Sequence, residues 1–290
     1  MDTYVTIKLW EINKLSESQC FNSAFAEIDS IEDLSSRFKP KSIVTELNRT
    51  GRCYSKELAY LISQLLKVSK LSSGAFDPTI APLLKLWGFY DSTDTQRKLP
   101  DTSDLKKTMQ LVDYRNITIR GDSIFTQSVE LDLSGAAKGY AVDKAVKTLQ
   151  NLGVTTGLID AGGDIRCFGK KREGWTIGIK HPYQQDLLGI ITIVEGAVAT
   201  SGDYENFIEI DGVRYHHLIN PATGYPARKA VSATVIAKNA LEADAWATAL
   251  FIMAADGINL LDSIDGLEGM LVLKDTTVLT TKGFPEIKKP

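Results

Sequence analysis

Cysteine and histidine are scarce in this sequence, and the scarcity excludes much. Three cysteines, Cys20, Cys53 and Cys167, are few, scattered and odd in number, which leaves neither a disulfide framework nor a cysteine zinc site. Three histidines, His181, His216 and His217, cannot build a histidine-rich metal centre. No apolar run approaches the ~18 residues of a membrane span. Lys and Arg number 33 against 36 Asp and Glu, a net charge of −3, so the basic footprint of a nucleic-acid binder is missing. The short basic patches, Lys170 to Arg172 and Lys288 to Lys289, read as solvated surface. No signal peptide precedes the strand-like pattern that begins almost at Met1. The chain as written therefore reads as cytoplasmic, although a trimmed leader would leave the same sequence.

What is present is an ordinary globular composition, 43% hydrophobic and 24% charged over 290 residues. That length allows one large domain or two small ones. No low-complexity linker or fixed repeat divides it, so a single domain over 1–290 is expected. Periodicity predicts a strand at 3–10 and helices at 17–35 and 55–71, the latter capped by Ser55. Residues 36–49, with Pro40, read as a loop. Two prolines, Pro78 and Pro82, should break any regular element in 74–89. A polar excursion at 91–111 holds a short helix after Pro100. A hairpin at 115–127 should turn at Gly121-Asp122, and a helix capped by Ser134 should run to about Leu152 before Gly153 stops it. Strands follow at 154–159, 174–180, 188–194 and 206–210, and 207–219 reads as a hairpin around Asp211-Gly212. A strand at 231–237 leads to a helix at 239–254 with an Asn239/Glu242 capping pair and Gly257 at its end. A short helix, a strand at 269–273 and a last hairpin close the chain. Strands and helices are mixed without strict βαβ alternation, so the expected class is α+β, with mixed or antiparallel sheets and packed helices.

Five stretches are candidates for chemistry. In LDLSGAAKGYAVD (131–143) a strand-like segment runs into a helix start. Gly135 and Gly139 gain a helix nothing, each costing up to ~1 kcal/mol against alanine. With Lys138 the corner suits an anion, or simply tight packing. DAGGD (160–164) makes a tight turn but is no GxGxxG fingerprint. Asp244 and Thr248, four apart on one helix, offer two hard oxygens on one face; otherwise they are a solvated Asp and a self-bonded Thr. His217 beside Tyr215 and His216 can take a proton near neutral pH or serve as a structural histidine. In GAFDPTIAPLLKLWGF (74–89), Phe76, Trp87 and Phe89 cover a flat ligand or belong to the core, and Asp77 caps the turn or binds a hydroxyl. A serine-hydrolase reading through Ser201 fails for want of a GxSxG elbow.

Taken together, these stretches resemble the ApbE family of FAD:protein FMN transferases. The likeness is carried by the motifs at 74–89 and 131–143, DAGGDI at 160–165, ATSGDYEN at 199–206, RYHHLINPATGYP at 214–226 and EADAWATAL at 242–250. It implies a Mg²⁺-dependent transfer of FMN from FAD, as substrate, to a Thr or Ser hydroxyl of an acceptor flavoprotein, with AMP leaving and a phosphoester-linked flavin formed. By position it implies FAD contacts from Met1, Phe38, Ala75, Phe76, Asp77, Asp132, Lys138 and Ile219. It implies metal ligands from the Gly135 carbonyl, Asp244 and Thr248, and a base in His217. Rival expectations are an FAD pyrophosphatase and a non-catalytic FAD-binding protein. Three positions depart from the family pattern. Ala247 stands where some members carry an acid, leaving one carboxylate fewer near the metal, Phe38 replaces a larger aromatic, and His216 replaces a small residue. Many members are lipoproteins, so a cell-envelope form whose leader was removed is the alternative to the cytoplasm.

Overall fold

Alternation along the central strands decides the architecture. Ala197 and Ala199 enter one apolar core while Val198, between them, enters a second. Phe168 and Leu271 join the first, and their neighbours Cys167, Met270 and Val272 join the second. Successive side chains of a strand point to opposite faces, so this sheet is buried on both.

The computed structural model describes residues 3–12, 16–90 and 98–289. In chain order the elements are β1 (Val5–Ile12), α1 (Glu17–Ser35), α2 (Ile43–Thr50), β2 (Arg52–Tyr54), α3 (Lys56–Leu71), α4 (Ala81–Leu86) and α5 (Thr102–Met109). Then come β3 (Ile117–Arg120), β4 (Ser123–Thr126), α6 (Ser134–Asn151), β5 (Val154–Ala161), β6 (Asp164–Phe168), β7 (Trp175–Lys180) and β8 (Leu187–Ile193). The remainder is β9 (Gly196–Gly202), β10 (Phe207–Ile210), β11 (Val213–His216), β12 (Ala230–Ala237), α7 (Ala240–Met253), α8 (Ala255–Leu261), β13 (Glu268–Leu273) and β14 (Val278–Thr280). The main sheet has seven strands in the order β1-β5-β6-β9-β12-β13-β14, and each neighbouring pair is antiparallel. The class is α+β. Among the described residues no helix is long and apolar enough to cross a membrane.

The hairpin β7–β8 covers one face of the sheet through Trp175, Ile177, Ile179, Ile191 and Ile193. On the other face lies α7, buried nearly all round with alanine at 240, 243, 245, 247 and 249. A helix apolar on every side belongs in a core, and here it is packed between α6 and strands β9 and β12. The α6–α7 crossing is close. A Cβ built on Gly139 would stand 2.2 Å from the Ala240 carbonyl oxygen. Each helix also lends the other an aspartate. Asp143 on α6 accepts from Ala240 and Leu241 N–H at 2.9 Å each, satisfying orphan donors at the start of α7. Asp244 on α7 accepts from Gly139 N–H at 3.1 Å. A third cluster joins Leu83, Leu84 and Trp87 of the α4 region to Ile208, Ile210 and Tyr215 of the β10–β11 hairpin. Trp87 is core: it stacks on Tyr215, and its Nε1–H donates to the Gly224 carbonyl at 2.8 Å.

Several expectations need correction. The stretch read as a loop ends in helix α2, because Ser42 accepts from Thr45 N–H at 3.0 Å and Pro40 lies outside it. Pro82 does not break 74–89; it sits in the first turn of α4, where a missing N–H costs nothing. Residues 196–202, between the strands expected at 188–194 and 206–210, form a further strand, β9, whose start pairs with β6 and whose Ala197 to Gly202 pair with β12. Its small residues carry little strand propensity and are used because α7 lies against them. Ser134 is not the cap of α6; Leu133 holds that position. Gly257 lies inside α8, and α7 ends at Ala254, which takes a φ of 56°. The helices at 17–35 and 55–71 and the two hairpins at Gly121 and Gly212 stand where periodicity puts them.

Gly139→Ala should destabilise the fold despite the better helix propensity of alanine. The new methyl meets backbone rather than a flexible side chain, and overpacking of this kind costs about 1–3 kcal/mol. Urea unfolding checks this; an unchanged or raised midpoint would show that the two helices can separate freely.

Candidate active site

The first turn of α6 is set by the residues that precede it. Asn48 grips the Leu131 backbone twice, its amide donating to the carbonyl at 2.9 Å and its oxygen accepting from the N–H at 2.8 Å. Asp132 Oδ1 accepts from Ser134 N–H at 2.8 Å, doing the capping expected of Ser134. Asp132 Oδ2 accepts from the Tyr90 hydroxyl at 2.5 Å.

This turn opens onto a cavity of about 830 Å³. Phe38, Ala75, Phe76, Asp77, Asp132, Gly135, Lys138, His217, Ile219, Asp244 and Thr248 all line it. Met1 lies outside the described residues. The chain therefore brings together segments more than a hundred residues apart, through the crossing of α6 with α7 and the packing of α4 on β10–β11. Phe38 is 65% exposed at the mouth and meets Tyr90 edge-on with centroids 5.5 Å apart. Phe76 is buried in the wall. Asp77 caps its own turn: Oδ1 accepts from Thr79 N–H at 2.8 Å and Oγ1–H at 2.6 Å, and Oδ2 accepts from Tyr114 N–H at 3.0 Å.

Oxygen donors gather where α6 meets α7. A Cβ on Gly135 would stand 3.5 Å from Thr248 Oγ1, so the backbone of the first turn lies against that hydroxyl. Thr248 Oγ1 is 3.3 Å from Ser201 Oγ; among the described residues no hydrogen bond joins Ser201 to a histidine. Asp244 is 4% exposed. Ala247 is fully buried in the core and does not line the cavity. Lys138 Nζ is bound to Asp164 Oδ2 at 2.6 Å. Burial alone would lower the lysine, but the Asp244 and Asp164 charges outweigh it and hold it protonated. Burial, then the Asp244 charge, pushes the Asp164 carboxyl above its ordinary range. Lys138 thus faces two buried acids, Asp164 and Asp244, and Glu205 and Lys180 also line the cavity.

The two adjacent histidines do different things. The Asn206 carbonyl accepts from both His217 N–H and its Nδ1–H, each at 3.0 Å. A carbonyl cannot donate, so Nδ1 carries the proton and Nε2 keeps its lone pair. Burial lowers the His217 imidazole below its ordinary value, against the help of the Asn206 hydrogen bond, so the neutral base prevails at neutral pH. Phe89 meets its ring edge-on at 6.4 Å. His216 points the other way, into the core, where Nε2–H donates to the Ala227 carbonyl at 2.6 Å and the ring meets Phe251 edge-on. Its Nδ1 is buried without a partner. Burial drives its pKa down to about 4.

The sequence reading missed Tyr90, which carries no local signal, and the Asn206 carbonyl, since any residue supplies one. Asp164 was visible only as the end of DAGGD.

The same overall fold is found in solved ApbE proteins. The crystal structure of the ApbE protein from Thermotoga maritima aligns with a TM-score of 0.88 at 31% identity over 97% of each chain. The flavin transferase ApbE from Vibrio cholerae aligns with a TM-score of 0.86 at 27% identity, covering 98% of this chain and 95% of that one. The ApbE family model matches residues 1–271, and the chain belongs to that family. A curated relative from Vibrio cholerae, an FAD:protein FMN transferase, is 30% identical over 99% of this chain and 87% of its own length. Another of that name, from Treponema pallidum, is 32% identical over 79% of this chain and 69% of its own.

His216 makes stability depend on pH. An unfolded imidazole titrates near 6.5, so as pH falls the unfolded chain takes the proton first. The stability His216 supports is whole above about pH 6.5 and is lost between there and about pH 4. In His216→Gln, whose amide N–H reaches the same carbonyl, that loss should vanish. Urea unfolding of both proteins from pH 7 to pH 4 should converge in the variant's favour by up to about 3 kcal/mol.

Proposed function

We propose that this chain transfers the FMN moiety of FAD to a threonine or serine hydroxyl of an acceptor protein in a Mg²⁺-dependent reaction that releases AMP. The observation that carries the reading is the single cavity that joins a neutral His217, its Nε2 free, to the Asp244–Thr248–Gly135 oxygen cluster. The ApbE relatives named FAD:protein FMN transferase support the choice of ligand and acceptor. The whole chain acts as one transferase unit.

In this reading His217 Nε2 takes the proton of the acceptor hydroxyl as its oxygen attacks the FMN phosphorus. The phosphoester bond forms, the pyrophosphate P–O bond breaks, and the electron pair leaves with AMP. General base catalysis of this kind contributes about 10²–10⁴-fold. Phe76, Phe38, Ala75 and Ile219 supply apolar contact for the rings of FAD. Asp132 accepts a hydrogen bond from them, and Asp77 holds the 74–89 turn in shape. Lys138, its charge shared with Asp164, orients the diphosphate more than it neutralises it.

The donor set fits magnesium. Among the described residues no group of three or more His, Cys, Asp or Glu side chains could enclose a metal. One carboxylate, one hydroxyl and one carbonyl suit a hard cation that completes its shell with water and phosphate oxygens. Gly139 N–H would serve the Gly135 carbonyl in a regular helix; Asp244 competes for it and so relieves the claim on that carbonyl. Asp244, Thr248 and the Gly135 carbonyl would hold the ion, which when bound offsets charge on the phosphoryl oxygens.

Incubation with FAD, Mg²⁺ and a Thr-bearing acceptor should release AMP and leave the acceptor fluorescent in a denaturing gel. AMP with free FMN and unlabelled acceptor would point to a pyrophosphatase, and no AMP to a binding protein. His217→Ala should lose transfer by about 10²–10⁴-fold while binding FAD normally. The wild-type rate should rise with pH through an apparent pKa below the ordinary imidazole value and level off by neutral pH. Asp244→Ala should lose at least about tenfold in rate at limiting Mg²⁺ and recover part of it at high Mg²⁺; full activity at limiting Mg²⁺ would remove Asp244 from the metal site.

A further inference from the structure

Tyr90 stands behind the cavity wall and touches three residues of it. Its hydroxyl accepts from Arg37 Nη1 at 3.1 Å and donates to Asp132 Oδ2 at 2.5 Å. The Arg37 guanidinium lies 3.9 Å over the Tyr90 ring centroid, and Phe38 meets that ring edge-on. Arg37, Phe38 and Asp132 line the cavity. The direction of each bond follows from the groups themselves. Arginine only donates, so the phenolic oxygen must accept from it, and the one phenolic proton is left for Asp132. Asp132 Oδ1 takes Ser134 N–H. Each carboxylate oxygen has two acceptor directions, so Asp132, only 5% exposed, keeps capacity for more donors while it cannot rotate away.

We propose that Tyr90 and Arg37 are a positioning pair that locks Asp132 as the hydrogen-bond acceptor for an N–H donor on one of the two ring systems of the bound dinucleotide. The inference rests on the reading of the cavity as an FAD site. Two groups of FAD have the required chemistry, the imide N–H of the isoalloxazine and the exocyclic amine of adenine. Phe38, held at the mouth by the same tyrosine, offers a face for whichever ring binds there. Without the phenolic hydroxyl, Asp132 keeps its Ser134 contact and Oδ2 loses the bond that fixes the carboxylate plane.

The test is to titrate wild type, Tyr90→Phe and Arg37→Met with FAD, with riboflavin and with AMP at fixed Mg²⁺, by flavin fluorescence and calorimetry. Tyr90→Phe keeps the ring under Arg37 and removes only the hydroxyl. It should bind FAD about tenfold more weakly. One of riboflavin and AMP should weaken by a similar factor, with the other within about twofold; which one changes names the ring. The kcat at saturating FAD should stay within about threefold, since the chemistry lies at His217. Arg37→Met should weaken the same half by less, and it decides the matter if Tyr90→Phe does not fold. An unchanged FAD affinity, or equal weakening of both halves, overturns the proposal. Failure of the wild type to bind FAD overturns both it and the functional reading, and is a distinct result.

Discussion

The close crossing of α6 and α7 is the contact on which the site depends. Gly139 lets the Ala240 carbonyl approach to where any side chain would stand, and the exchange of Asp143 and Asp244 ties each helix to the other's backbone. One turn before Gly139 is Gly135, and one turn after Asp244 is Thr248. The spacing of the helices therefore also sets the distance between the oxygens that face the cavity. The alanines of α7 and the small residues of β9 serve the same end, since a helix set close to α6 must also sit close to the sheet beneath it. Core packing and site geometry are here one constraint.

Charge at the α6–α7 crossing is partnered unevenly. Asp143 spends its charge on the start of α7, with Arg166 near it, and burial still raises it to about 6. Lys138 is matched by Asp164. Among the described residues Asp244 accepts from the Gly139 backbone N–H and otherwise feels the Lys138 charge, which it shares with Asp164. A carboxylate in that position is costly unless a cation joins it, and on the proposed reading that cation would be the metal that accompanies the anionic substrate. A slightly acidic protein need not present a basic patch to hold a diphosphate if the positive charge arrives with the ligand.

His216 and His217 show how a strand end divides labour. Neighbouring side chains at the end of β11 face opposite ways. One histidine is sealed against Phe251 and Ala227, and its neighbour reaches the cavity with its tautomer fixed by a carbonyl. Both are lowered by burial, with different consequences. For His216 neutrality adds to the stability of the fold. For His217 it leaves a lone pair ready for a proton.

Local patterns in the sequence were enough for most of the framework. Long periodic helices, two tight hairpins with Gly at left-handed positions, and the α+β class follow from spacing and turn chemistry that act within a few residues. The resemblance also named several of the residues that line the cavity, Phe76, Lys138, His217 and Asp244 among them. What local patterns misjudged were segments whose conformation is decided by partners: β9, whose small residues look like a loop until α7 and two strands enclose them, and α4, where Pro82 starts a helix held by Trp87 and the β10–β11 hairpin. Tyr90 and the Asn206 carbonyl were silent for the same reason. Their roles depend on which atoms lie opposite them, and those atoms are contributed by segments distant in the chain. The sequence by itself determined which side chains are available and which stretches are helical or extended. Only the tertiary structure decided that Lys138 is matched by Asp164, that Ala247 faces the core, and which nitrogen of His217 is free, because each is a matter of distance across the α6–α7 crossing and the sheet rather than of spacing along the chain.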